Sequence, residues 1–395
     1  MSTKDFDYVI VGGGLQGCLV AHALRHRCPD ASVLIVERGE ELCGNHTWSF
    51  HESDVPPASR AWYDPLQTNR WPGYFVKFPG LRKRVEIPYA TITSERLRDA
   101  TAALASDDNG KAPHSSFVVC CRTDCEIVSS RDVTIGDAAL SCRAVIDCRG
   151  RAATPEQPNG AGFQSFIGRE FKTDRRWPVS DPTVMDARED QEQGFEFLYE
   201  LPLGSNRVLL EYTRFSETPG CDAARAEALI AERLHEADVG SAELVRTERG
   251  CLPMPYAATN NATPASAAGG YAGGWYHAAT GYSMPLAIRF AELVANADPE
   301  QISADLSAAA SRDAWRRTYA RFLNRLLFCL VTPRHRWKIF RRFYRVLSEE
   351  RIARFFAHRF SVTDAARIVI GRPPTGLAPV RFIRSLAPRT GTALP

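Results

Sequence analysis

Phe6-Asp7-Tyr8-Val9-Ile10-Val11-Gly12-Gly13-Gly14-Leu15-Gln16-Gly17 opens a stretch, 6–37, whose reading decides the fold. The β-branched and aromatic residues before the glycines predict a buried strand. After the glycines, Leu19, Val20, Ala23 and Leu24 recur at helical spacing, and Pro29-Asp30 stops the helix. Ser32-Val33-Leu34-Ile35-Val36 predicts a second strand, ending on Glu37. The glycines fit G-x-G-x-x-G, in which the first makes the turn, the second admits a pyrophosphate, and the third lets helix and strand pack closely. Phosphate then sits at the positive helix N-terminus. Glu37, about twenty residues past the motif, is placed to accept hydrogen bonds from ribose hydroxyls. This is a dinucleotide-binding βαβ unit, and NAD and FAD satisfy it equally.

With 395 residues the chain can bury a large core, and its composition is that of a packed globular protein. The net charge of +3 argues against nucleic acid as a partner. No apolar run reaches the roughly 18 residues of a membrane-spanning helix, and the polar, acidic N-terminus is unlike a secretory signal. A cytoplasmic protein is expected. The eleven cysteines are irregularly spaced, so reduced thiols are expected. Cys120, Cys121 and Cys125 cluster, but no second Cys or His pair stands at ligand spacing, and no metal site is expected.

Further along, Thr93-Ser94-Glu95-Arg96-Leu97 opens a helix, and Ala144-Val145-Ile146 ends a strand at Asp147-Cys148-Arg149-Gly150. A stretch rich in Pro, Gly and Ala, 152–162, marks a boundary. Alternating strands follow, among them Phe195 to Leu201 and Arg207 to Thr213, which suit a sheet with one covered face. A small-residue loop, 258–274, leads to Trp275-Tyr276-His277-Ala278-Ala279-Thr280-Gly281-Tyr282-Ser283-Met284-Pro285, and a helix is expected from Pro285. The stretch 314–360 is helical, basic and aromatic. Asp147 to Gly150 and the segment 273–281 look like second and third contacts of a flavin fold assembled from separated pieces, which selects FAD.

These residues, with several other separated stretches, make the chain resemble the bacterial lycopene cyclases of the FAD-binding superfamily that also holds the plant lycopene β- and ε-cyclases. The likeness runs through Gly44-Asn45-His46-Thr47-Trp48-Ser49-Phe50-His51, Tyr89, Ser94 and Arg96, and Val145 to Gly150. It continues in Phe163 to Gly168, Met185-Asp186-Ala187, Phe197 to Leu203, Leu209-Leu210-Glu211-Tyr212-Thr213, Gly250 to Pro253, 277–285, and Gly371-Arg372-Pro373-Pro374.

The resemblance implies an α/β chain: a Rossmann-type FAD-binding fold (1–75, 93–160, 265–300) interleaved with a mixed or antiparallel, β-rich substrate region (76–92, 161–264) and a helical C-terminal part (301–395). It implies that lycopene, or another acyclic carotenoid, is cyclised to β-ionone ends without net redox change, although FAD must be reduced, with NAD(P)H as the external reductant. The acid implied is Glu211, in the strand motif of the family; an apolar pocket would keep it protonated. The second acid of that motif is Tyr212 here, which brings Asp186 and Glu217 in as further proton-handling candidates. Cofactor contacts implied are Gly12, Gly13, Gly14, Leu15, Gln16, Gly17, Glu37, Arg38, His46, Trp48, Arg96, Asp147, Gly150, Gly274, His277, Thr280, Gly281, Tyr282 and Ser283. Ala278-Ala279 and Cys148 depart from the usual family residues beside that site.

A substrate dissolved in a bilayer implies peripheral association with the inner face of the cell membrane, and the basic, aromatic 314–360 stretch is the docking candidate, as amphipathic helices dock. The same fold carries flavin monooxygenases, which obligatory O2 uptake would mark. A cyclase of another polyene or terpenoid, and a non-catalytic carotenoid- or flavin-binding protein, are the other readings. Oligomeric state is open.

Overall fold

The computed structural model describes residues 6–106, 116–150, 160–188, 191–192, 194–257, 267–371 and 375–386. Most of the 152–162 boundary, the first part of the 258–274 loop and Arg372-Pro373-Pro374 lie outside the described residues.

Phe6–Val11 is a strand buried at Val9 and Ile10, and it runs parallel to Val33–Val36 on one side and Ala138–Asp147 on the other. Phe117–Cys120 extends this sheet beyond Val33–Val36, also in parallel. Ala138–Asp147 continues into an antiparallel flap with Asp132–Ile135 and Cys125–Ile127. The helix Leu15–Arg27 covers one face and buries Leu19, Val20, Ala23 and Leu24, the residues picked out by their spacing. It packs on the helix Met284–Asn296, which starts beside Pro285 as expected.

The second sheet is mostly antiparallel. Its strands lie in the order Ala242–Pro255, Ala161–Thr173, Arg207–Ser216, Phe195–Gly204, Thr183–Asp186, Tyr74–Phe78 and Leu81–Val85. Side chains alternate between the faces of a strand. Val208, Leu210 and Tyr212 therefore pack under the helix Ala223–Glu236, through Ile230, Ala226 and Leu229. Leu209 and Phe215 join the opposite face, together with Phe195, Phe328 and Tyr344. A three-stranded sheet, Thr47–His51, Tyr89–Thr93 and Asn69–Trp71, stands beside these two.

The C-terminal part is helical: Ile302–Arg312, Ala314–Arg325, Trp337–Val346, Glu349–Phe356, Val362–Val369 and Pro379–Leu386, with a π-type turn at Leu326–Leu330. In the 314–360 stretch Trp315 and Phe322 stay exposed, but much of the aromatic set turns inward. Phe328, Phe355 and Phe360 are buried, and Phe340 stacks on Phe195 with ring centroids 4.3 Å apart. Each fully buried Phe contributes about 1.5–3 kcal/mol, so these rings fall inward to roof the second sheet. Arg336 is fully buried: it donates to the carbonyls of Leu327, Phe328 and Phe215 and pairs with Glu217. The chain is thus a Rossmann-type α/β fold interleaved with a second, largely antiparallel sheet and closed by C-terminal helices. Among the described residues no helix is long and apolar enough to cross a membrane.

Candidate active site

Two cavities meet in this architecture. The first, about 770 Å3, lies at the carboxyl ends of the parallel strands, where open α/β sheets bind ligands, and is lined by Gly12, Gly14, Leu15, Gln16, Glu37, Arg38, Asp147 and Gly150 among others. The second, about 970 Å3, lies between the second sheet and the helical roof. It is at the upper end of the size range of small-molecule pockets. His46, Trp48, Gly150, Tyr271 and Ser283 line both cavities, so the two are continuous.

The first cavity fits an FAD on the chemistry of its donors. Gly14 begins the helix without any side-chain cap, which leaves backbone N–H groups for a pyrophosphate. Gly12 has φ +105°, and a Cβ there would stand 2.7 Å from the carbonyl carbon of Cys148. Only glycine permits that approach of turn and strand end. Glu37 is held in place by backbone amides: its two carboxylate oxygens accept from Gly13 N and Gly39 N, each at 2.7 Å.

Of the expected cofactor residues, Gly12, Gly14, Leu15, Gln16, Glu37, Arg38, His46, Trp48, Asp147, Gly150 and Ser283 line the first cavity. Thr280, Gly281 and Tyr282 line only the second. Gly13, Gly17, Arg96, Gly274 and His277 line neither. The Arg96 guanidinium donates to the Pro65 carbonyl, and His277 is fully buried against Phe355 and His358. Cys148 lines the first cavity and Ala279 the second, so both departures from the family residues face the site.

The second cavity is walled by aromatic and aliphatic side chains, and among the described residues Glu211 is its only carboxylate. Thr213 Oγ1 donates to Glu211 Oε1 at 2.9 Å. Glu211 pairs in register with Gly168 on the neighbouring strand, and Gly168 pairs on its far side with Glu248. A Cβ at 168 would stand 2.8 Å from Glu248 Cγ, so the missing side chain gives Glu248 its room and lets it reach toward Glu211. Glu248 is buried and is fixed by Arg246 Nη1 at 2.7 Å and Thr47 Oγ1 at 3.2 Å. Burial and then the neighbouring Glu248 carboxylate hold the Glu211 carboxyl well above the usual range. It is therefore a neutral acid in an apolar cavity.

Period two decides the remaining acids. Tyr212 points away from the cavity, fully buried under the helix Ala223–Glu236, so the substitution in the family motif does not reach the site. The roles it suggested for Asp186 and Glu217 fall with it. Asp186 is paired with Lys77 at 3.2 Å and Arg188 at 2.7 Å, and Glu217 with Arg336 and Arg381. Burial pushes both carboxyls up, but these cations prevail and hold them below the usual range. Neither lines the cavity, and neither is a proton donor there.

A hydrogen-bonded cluster in the wall of the second cavity joins His51, Tyr74, Tyr89, Tyr199 and Tyr282 with Asp54 behind them, and the sequence gave no sign of Asp54, Tyr74 or the connections among them. His51 Nε2 bonds Tyr74 O–H at 3.0 Å, and Tyr282 O–H donates to Asp54 Oδ2 at 2.6 Å. His51 Nδ1 lies 3.9 Å from Asp54 Oδ2, and Tyr89 and Tyr199 share a hydroxyl bond of 3.1 Å. Burial pushes the Asp54 carboxyl up to about 7, against the bond from Tyr282, and burial lowers His51 to about 3. Its members come from five separated stretches of chain, which no local pattern joins.

The model of the family described as "Lycopene cyclase protein" matches residues 7–382. A lycopene beta-cyclase of Pseudescherichia vulneris is 38% identical over 379 residues, 94% of this chain and 95% of the relative. One of Pantoea ananas is 33% identical over 377 residues, 93% and 95%. The chloroplastic lycopene beta cyclase of Arabidopsis thaliana is 24% identical over 334 residues, 78% of this chain and 65% of the relative. Among solved structures, a geranylgeranyl bacteriochlorophyll reductase-like protein from Thermoplasma acidophilum superposes with a TM-score of 0.55 at 13% identity, over 92% of this chain and 95% of the other. A flavoprotein/dehydrogenase from Cytophaga hutchinsonii gives 0.58 at 12%, over 89% and 92%. At such identities the structural likeness concerns the fold alone.

Proposed function

The chain belongs to the lycopene cyclase protein family, and from that premise we propose that it cyclises the ends of lycopene, or of a related acyclic carotenoid, to β-ionone rings. One observation carries the reading: a large apolar cavity, continuous with a dinucleotide cavity, is faced, among the described residues, by one carboxyl that its surroundings keep protonated.

The reaction is an isomerisation that takes in one proton and releases one. Glu211 donates to C2 of the terminal double bond, which leaves a tertiary cation at C1. The C5=C6 bond attacks through C6, and the proton then lost from C6 closes the new double bond. The carboxylate left at Glu211, the only one lining the cavity among the described residues, is placed to receive it. Trp48, Phe166, Phe197 and Phe215 line the cavity and supply the aromatic surface that would stabilise the cation.

FAD is the cofactor that the residues of the first cavity would hold, with Gly12, Gly14 and the helix N-terminus at its pyrophosphate and Glu37 at its ribose. When bound and reduced, with NAD(P)H as the external source of electrons, it supplies negative charge that stabilises a neighbouring cation without net electron transfer. His46, Trp48 and Ser283, shared by both cavities, are the residues that would orient it toward the substrate. Because the substrate is a bilayer hydrocarbon, peripheral contact with the membrane belongs to the same reading.

The test is an anaerobic incubation of purified protein with chemically reduced FAD and lycopene in liposomes, with pigments separated by chromatography. Cyclic carotenoid formed without oxygen and without net consumption of reductant is the expected result. A strict requirement for O2, with consumption of reductant, would replace the cyclase reading with that of a monooxygenase.

A further inference from the structure

Building on the substrate assigned above, we propose that the C-terminal surface around the mouth of the apolar cavity, Val362–Val369 and Pro379–Leu386, docks on a bilayer with anionic headgroups. The substrate then passes from the bilayer core straight into the cavity. Val369 and Leu377 line the cavity and are nevertheless 42% and 41% exposed, which marks them as its rim. Beside them stands Ile370, 64% exposed.

The same end of the chain holds most of the uncovered apolar surface. Of the twelve large hydrophobic residues that are exposed among the described residues, seven fall between 362 and 386, so the patch belongs to this end and is not scattered over the molecule. Isolated exposed hydrophobics need no explanation, but their concentration in the segment that forms a cavity rim does. On Pro379–Leu386, Val380, Ile383 and Leu386 recur every third residue along one exposed side. Phe382 turns the other way and packs on the cavity cluster. The helix is held to the rim by backbone bonds from Thr332 N to Gly376 O and from Ala378 N to Leu330 O.

Charge selects the partner. The segment 365–386 contains no acidic residue. Arg367 and Arg384 are exposed, and no carboxylate pairs with either among the described residues. Lys338 donates to Thr375 Oγ1 at the same rim. Apolar tips flanked by unpaired cations are the pattern of a helix that lies in a lipid interface. A second copy of this chain would meet the same arginines, which disfavours self-pairing through this face.

The experiment is flotation of the full-length protein with phosphatidylcholine vesicles and with phosphatidylcholine–phosphatidylglycerol vesicles, alongside conversion of lycopene in vesicles and in detergent micelles. Wild type is expected to float with the anionic vesicles, and less so at high salt. The combined change Val380→Ser, Ile383→Ser, Leu386→Ser removes apolar area only, and vesicle partitioning should fall at least about tenfold. Turnover in vesicles should drop with it, while turnover in micelles holds. Arg367→Gln with Arg384→Gln should erase the preference for the anionic vesicles. Unchanged flotation of the triple variant overturns the proposal. So does concentration-dependent dimerisation of wild type that the triple variant abolishes without any change in flotation. Absence of turnover in micelles would instead count against the substrate reading, and flotation still decides the docking face.

Discussion

The two cavities are built on opposite logics. The dinucleotide cavity grows from a local unit: strand, turn, helix and acid come from one run of chain, which Asp147 to Gly150 and the 270–275 segment complete, and its shape depends on a glycine that no other residue can replace without collision at Cys148. The apolar cavity is assembled from distant pieces, and its chemistry depends on which face of a strand a residue occupies. The first tolerates almost no change in backbone and the second almost no change in register. Binding and catalysis are thereby separable, although the cavities share a wall.

That separation can be broken, first and most severely, at Glu211. Glu211→Gln is expected to cut turnover by about 10^2–10^4-fold while flavin stays bound, as read from pigment chromatography and flavin absorbance. Loss of flavin in this variant would mean that the two cavities are not independent.

Asp54 tests whether the buried cluster belongs to the scaffold. Its carboxyl is pushed from the ordinary 3.8 up to about 7, so the folded state holds a proton that the unfolded chain releases. Stability from this source is full below the unfolded value and is lost as pH rises through about 7, a change on the order of a few kcal/mol. Asp54→Asn should flatten the difference between urea midpoints measured at pH 5 and pH 8. An undiminished difference would assign the pH dependence elsewhere.

Gly12→Val should do the reverse of Glu211→Gln. The purified protein is expected to bind flavin at least about tenfold more weakly, whereas Glu211 keeps its surroundings. A smaller effect separates the two carboxyls of the second sheet. Glu248→Gln removes the like charge beside Glu211, lowers its pKa, and should move the alkaline fall in rate to lower pH. Each unit moved costs about tenfold in turnover on that limb. An unmoved pH profile would make burial alone responsible. The smallest effect is expected at Tyr212→Phe, about 1 kcal/mol or less in unfolding and no change in products, because the residue faces away from the cavity.

The βαβ unit was legible because every part of it is local, and its helix and strands formed where the spacing placed them. Glu211 was legible through the strand motif it shares with a family. Glu248 was not, since its meaning lies in a register across Gly168 that no spacing reveals. Asp186 and Glu217 misled for a related reason. An isolated carboxylate in a sequence does not disclose that Lys77, Arg336 or Arg381, from other parts of the chain, will neutralise it. The 314–360 helices showed their basic and aromatic composition but not which side would face inward.

Glu217, excluded from the chemistry, holds another consequence. It binds Arg336, which is anchored to carbonyls of the roof and of the cavity wall at Phe215, and it also binds Arg381 on the outermost helix. One carboxylate therefore ties three layers together. Tilting that helix against whatever it rests on would pull on the wall that holds the substrate, so the rim and the interior move as one lever rather than as separate parts.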